Sequence, residues 1–146
     1  MRKLFVIMPI GIKSDMSGGP ERSSTNFDTV YETLIKPAAL ASDFSVLRID
    51  EVVTSGTVSD QFLQELFTAD VVVADVSVPN PNVFYELGIR QAMGTGPTVL
   101  IASSPANLPF DIREQRVFFY DLTTLNKSLK ALANLSKVLR ATSETR

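Results

Sequence analysis

Short runs of apolar residues alternate along this chain with longer stretches in which apolar positions recur every three or four residues. The compact runs are Leu4–Met8, Phe44–Ile49, Val71–Val76, Pro97–Ala102 and Val117–Tyr120. They are short, β-branched or aromatic, and apolar on both faces where they are densest, as strands inside a parallel sheet are. Between them, Phe27, Val30, Tyr31, Leu34 and Ile35 mark one face of a helix over 27–41, with Thr25 or Asn26 as its cap. Pro37 falls inside that helix and predicts a kink or an end near Lys36. A second helix runs to about Thr68, with Val58, Phe62, Leu63 and Leu66 inward. A third is expected over Val83–Met93, capped by Asn82 and closed by Gly94 at C′. A last one, over 122–139, carries Leu125, Leu129, Leu132, Leu135 and Leu139, a stripe that suits a core or an interface.

Strands that alternate with helices predict an α/β fold: one three-layer α/β/α domain around a five-stranded parallel sheet of flavodoxin-like order 2-1-3-4-5. The domain is expected over residues 1–141, with 142–146 a frayed tail. Ligands in such sheets bind outside the carboxyl ends of the strands, where the strand order reverses, here between the first and third strands. That rule selects Met8–Ser24, Asp75–Glu86 and Ser103–Asp111. Residues 12–24 are polar and rich in Gly, Ser and Pro, which predicts a long loop, either a lid or disordered.

Composition narrows the chemistry. The 146 residues suit a single domain, and 45% hydrophobic with 21% charged residues is ordinary for a globular protein. The chain has no cysteine and no histidine, which removes disulfides, a thiol nucleophile, a histidine base and the commonest zinc ligands. No cofactor or metal is expected. Acid–base work is left to carboxylates, Tyr, Lys or water. A net charge of -2 without a basic block argues against nucleic acid as a partner. No apolar run approaches the roughly 20 residues that span a bilayer, so no membrane partner is expected. The opening MRKLFVIMPIG reads as a strand rather than a signal peptide, and the expected setting is cytoplasmic.

The candidate residues sit on the selected edge. Met8, Pro9, Ile10 and Gly11 end the first strand, and Arg48 and Asp50 end the second. Asp75 ends the third; Asn80, Asn82, Tyr85 and Glu86 open the helix that follows it. Glu86 has two readings, a catalytic carboxylate or an acid that favours the positive end of the helix dipole. Asp75 either lines the site or closes the Pro79–Asn80 turn through backbone hydrogen bonds. Arg48 either meets a phosphate or forms an ordinary ion pair. Gly56 and Thr57, at a helix start, offer N–H groups to an anion, and Lys13 and Arg22 in the first loop are further candidates for a phosphate. Asp70 precedes the third strand, away from this edge, and is structural. No GxGxxG or Walker A pattern follows the first strand.

Five segments, IMPIG, FDTVYETLIKPA, LRIDEVVTSGTV, ADVVVADVSVPNPNVFYELGIRQAMG and LPFDI, together resemble the nucleoside 2-deoxyribosyltransferase-like group of TIR-like proteins. The likeness covers about Leu4 to Tyr120 and is most specific in the fourth segment. It implies cleavage or exchange of an N-glycosidic bond in a nucleoside, a nucleotide or NAD+. It implies Glu86 as the nucleophile at the anomeric carbon, Asp75 as a helper at the leaving base, and Asn80 as a substrate contact where the transferases typically carry Asp. It also implies a homodimer or higher homo-oligomer. The chemistry suits the composition, since a carboxylate can stabilise an oxocarbenium-like state or form a glycosyl ester without histidine or metal. The alternative is a non-catalytic module that senses a nucleotide or assembles as TIR domains do.

Overall fold

A computed structural model describes residues 1–14, 24–51, 58–104 and 108–144. Its main sheet joins β1 (Arg2–Ile7), β4 (Phe44–Arg48), β5 (Val71–Asp75), β6 (Thr98–Ala102) and β7 (Val117–Phe119), all parallel, in the order β4-β1-β5-β6-β7. Counting only these strands, the order is the expected 2-1-3-4-5. The difference lies outside them. Ile12–Ser14 (β2) and Ser24–Asn26 (β3) pair antiparallel in a small second sheet, within the segment expected to be only a loop. Residues 15–23, between β2 and β3 and including Arg22, lie outside the described residues, as do the 54–57 turn and residues 105–107 of the third selected loop.

Alternation along the strands builds two cores. Leu4, Val6, Val71, Val73, Val99 and Ile101 point to the layer of α1 (Phe27–Val30), α2 (Lys36–Ala41) and α6 (Leu125–Glu144). Phe5, Ile7, Val72, Ala74 and Leu100 point to the layer of α3 (Val58–Thr68), α4 (Pro81–Met93) and the short α5 (Phe110–Arg113). Asp70 belongs to neither core. Its carboxylate accepts from Lys3 N at 2.8 Å and its own N–H donates to Lys3 O at 2.9 Å, which latches the start of β5 to β1.

The helix is interrupted before Pro37, as expected, but does not end there. A π turn over Tyr31–Ile35 joins α1 to α2, and Lys36 N donates five residues back to Tyr31 O. The wider turn gives the proline ring room against the preceding carbonyls, and Pro37 then occupies the first turn of α2, where no N–H is required of it. Leu63, expected inward, is exposed, as are Leu125 and Leu129 at the start of the stripe read as a core or an interface. The buried arc of α6 starts only at Ala131, so its first turns project past the packed layer.

Arg90 fastens α4 to both neighbours. It is fully buried, and its Nη1 donates to Leu66 O at the end of α3 (2.6 Å) and to Thr95 Oγ1 (3.1 Å), while Nη2 reaches Pro97 O at 3.4 Å just before β6. Removing it takes a donor from Leu66 O and opens a cavity, while Pro97 O keeps the N–H of Val72. Arg90→Ala is expected to lower unfolding free energy by about 3 kcal/mol, measured by urea denaturation; a loss below about 1 kcal/mol would contradict this role.

Candidate active site

The strand order reverses between β1 and β5, whose following helices depart to opposite faces of the sheet. The chain leaving β1 is pinned. Met8 and Pro9 are buried and Ile10 is partly exposed. Gly11 takes φ +77°, a conformation that L side chains rarely adopt. Its N–H donates to Asp28 Oδ1 at 3.1 Å and its carbonyl accepts from Phe27 N at 2.9 Å. The first loop is thereby tied to the start of α1, which Asn26 caps by accepting from Asp28 N and Thr29 N.

Asp28 also carries charge across to β4. Arg48 Nη1 lies 2.9 Å from Asp28 Oδ1, and Asp50 grips the same guanidinium at both oxygens, 2.7 and 2.8 Å away. The guanidinium lies 4.7 Å from the Tyr31 ring centre. Burial works against the Arg48 charge, but Asp50 and Asp28 outweigh it and hold its pKa above the usual value. The Gly11 N–H, and then Arg48, hold Asp28 below the usual carboxylate range. Tyr31 OH donates to Glu51, which also accepts from Arg48 N. Arg48 and Asp50 are therefore partners of each other, and the guanidinium is already neutralised by two carboxylates.

Asp75, the last residue of β5, is wholly buried. Oδ1 accepts from Ser77 N (2.9 Å) and Ser77 Oγ (2.6 Å), and Oδ2 accepts from Tyr120 OH (2.6 Å). Ser77 Oγ in turn accepts from Ser103 N at 2.8 Å. Burial raises the Asp75 pKa, and the bonds from Ser77 and Tyr120 oppose that rise without cancelling it. Burial and the Asp75 charge push the Tyr120 phenol up. This network knots the ends of β5, β6 and β7 together.

The chain then reaches α4. Asn80, not Asn82, is the N-cap: its Oδ1 accepts from Asn82 N at 3.0 Å and Val83 N at 3.2 Å, and Pro81 takes the first helical position. The sequence offered two Asn residues flanking a proline, and the proline's preference for the first turn decides between them. Asn82 and Tyr85 are exposed, Tyr85 at 66%. Gly94 ends the helix at φ 61°, as expected.

Glu86 lies one turn before Arg90, on the flank of α4 that meets α3, and helical side chains lean towards the N-terminal end, here the strand tips. It is half-buried and has no hydrogen bond or ion pair among the described residues. Desolvation alone raises its pKa from 4.5 to about 7. It is the one carboxylate on this edge with a large shift and nothing to offset it.

The two acids were expected beside one pocket, and the structure separates their orientations. Asp75 continues the alternation of Val71 and Val73 towards the α1/α6 layer, whereas Glu86 belongs to α4 on the other layer. A hollow of about 410 Å³ is lined by Thr25, Asn26, Thr29, Ser103, Tyr120 and Thr123 among others, and neither Asp75 nor Glu86 is among its walls. Tyr120, Ser77, Ser103 and Asp28 were missed as organising residues. The pattern Asp75-Val-Ser77, which favours a side chain bonding its own backbone two residues on, was the available signal for one of them. Among the described residues no group of three or more acids is arranged to hold a metal, and no helix is long and apolar enough to cross a membrane. No protein-family model matches the chain, and no curated protein matches it.

Two outcomes test this geometry. Asn80→Ala should cost about 1 kcal/mol of stability while Asn80→Asp stays near neutral, because either amide or carboxylate oxygen can cap α4; equal losses would contradict the cap. For Glu86, a folded pKa above the ordinary 4.5 means that stability is full below that value and is lost as pH rises through about 7. Glu86→Gln should therefore match the parent near pH 4 and exceed it above pH 8, by about 1 kcal/mol after allowance for solvent screening. A difference independent of pH between 4 and 9, measured by thermal denaturation, would contradict the shift.

Proposed function

We propose that the chain cleaves or exchanges the N-glycosidic bond of a nucleoside, a nucleotide or NAD+, with Glu86 as the nucleophile. The observation that carries this reading is the half-buried Glu86 carboxylate, unpaired among the described residues, on the carboxyl edge of the sheet, with a pKa of about 7 in a chain without histidine or cysteine. An acid placed only to complement a helix dipole gains from exposure and a low pKa; this one is held where its charge is costly.

In the proposed step the ionised Glu86 attacks the anomeric carbon as the bond to the base nitrogen breaks. The bonding pair leaves with the base, which takes a proton from water, or leaves as neutral nicotinamide without one. Water or a second base then attacks the glycosyl ester, and Glu86 is released as a carboxylate. The cationic character that develops on the sugar in the transition state is stabilised by the charged form of Glu86. Asp75, buried and fully engaged, serves as a positioning residue: it sets the turn through Ser77 that delivers the chain to Asn80 and α4. The same reading includes a cytoplasmic homodimer or higher homo-oligomer.

Incubation with a panel of nucleosides, nucleoside monophosphates and NAD+, followed by chromatography for free base, tests the proposal. Base release is expected from at least one member, rising with pH to a plateau near pH 8. Glu86→Gln and Glu86→Ala should each lower it by roughly a thousandfold or more. Turnover that survives both substitutions would overturn the nucleophile, and tight binding of one member with no release would favour a nucleotide sensor instead.

A further inference from the structure

A cleft of about 550 Å³ runs between β7, the edge strand, and the C-terminal half of α6, with Tyr120 in its wall at the strand-tip end. Its origin is architectural. Helix α6 packs mainly against α2 and the π turn, so it leaves the flank of β7 uncovered. The apolar lining is Leu34, Ile101, Phe118, Leu135 and Val138. Leu34 and Ile101 are themselves only 1% and 2% exposed, so the cleft reaches down to the core and is not a flat patch.

The rim is cationic. Arg116 and Lys137 both line the cleft, and neither has an ion pair or hydrogen bond among the described residues. No Asp or Glu lines it. The volume falls in the range of small-molecule pockets, about 300–1,000 Å³. An apolar lining that reaches the core suits a flexible apolar chain, and two cations without partners among the described residues suit a negative head. We propose that this cleft binds an amphiphile with an alkyl tail and an anionic head, of the medium-chain carboxylate class, with the tail over Phe118 and Val138 and the head at Arg116 and Lys137.

The test is calorimetric titration of the full chain with decanoate below its micellar concentration, beside decanol and decyltrimethylammonium. Decanoate is expected to bind at one site, more tightly than decanol, and the cationic amphiphile to bind least. Arg116→Gln with Lys137→Gln should weaken decanoate by about tenfold and leave decanol unchanged. Ala141→Trp, at an exposed position on the cleft wall, should abolish both, with far-ultraviolet dichroism reporting the fold. If the tryptophan variant unfolds, the rim variant carries the test alone. Equal binding of the cationic amphiphile, an unchanged decanoate affinity in the rim variant, or no binding below the micellar concentration would overturn the proposal. So would self-association that Ala141→Trp removes, since the occupant would then be a second copy.

Discussion

The carboxylate of Asp75 is fully buried, and a buried charge is tolerated only where hydrogen bonds replace the water it has lost. Here the replacement comes from Ser77 and from Tyr120, while Ser77 also takes the N–H of Ser103. One side chain thus fixes the ends of three neighbouring strands, β5, β6 and β7, at the edge where an open α/β sheet presents ligands. It also fixes the direction in which the chain leaves β5. Three residues after Ser77 that chain delivers Asn80 to cap α4, and six after Asn80 it presents Glu86. The position of the unpaired acid is set by the acid that is fully paired.

The contrast between these two carboxylates carries the functional argument. Both are raised by desolvation, but Asp75 has donors that oppose the rise and Glu86 has none among the described residues. A satisfied buried acid organises structure; an unsatisfied one at a ligand edge is poised to react with a developing cation. The Arg48 cluster repeats the first pattern with opposite charge. Two carboxylates and an aromatic face occupy the guanidinium, and the cluster's work is to hold the Gly11 turn against α1 and the end of β4.

The sheet was legible because its signal is long and redundant: apolar runs such as Val71–Val76, separated by helical periodicity, leave few topologies. The caps at Asn26 and Gly94 followed from local rules. Asn80 against Asn82 turned on a single proline. An interruption near Pro37 was legible from the proline, but its form, a π turn over Tyr31–Ile35 with the helix resuming at Lys36, was not. Within the site, sequence placed both acids on the correct edge but could not assign their faces. A strand residue's face depends on register, and the partners of Asp75 and Arg48 come from distant positions, Tyr120 and Asp28. Spacing along the chain says nothing of such pairs.

The proposed chemistry depends on Glu86 being a desolvated carboxylate without a partner among the described residues. The direct measurement is a pH titration of its side-chain carboxyl carbon by carbon-13 NMR, in the full chain without ligand and assigned with Glu86→Gln. A midpoint near 7, well separated from the exposed glutamates, is the expected result. A midpoint at the ordinary 4.5 or below would contradict it and return Glu86 to the role of a helix-start acid.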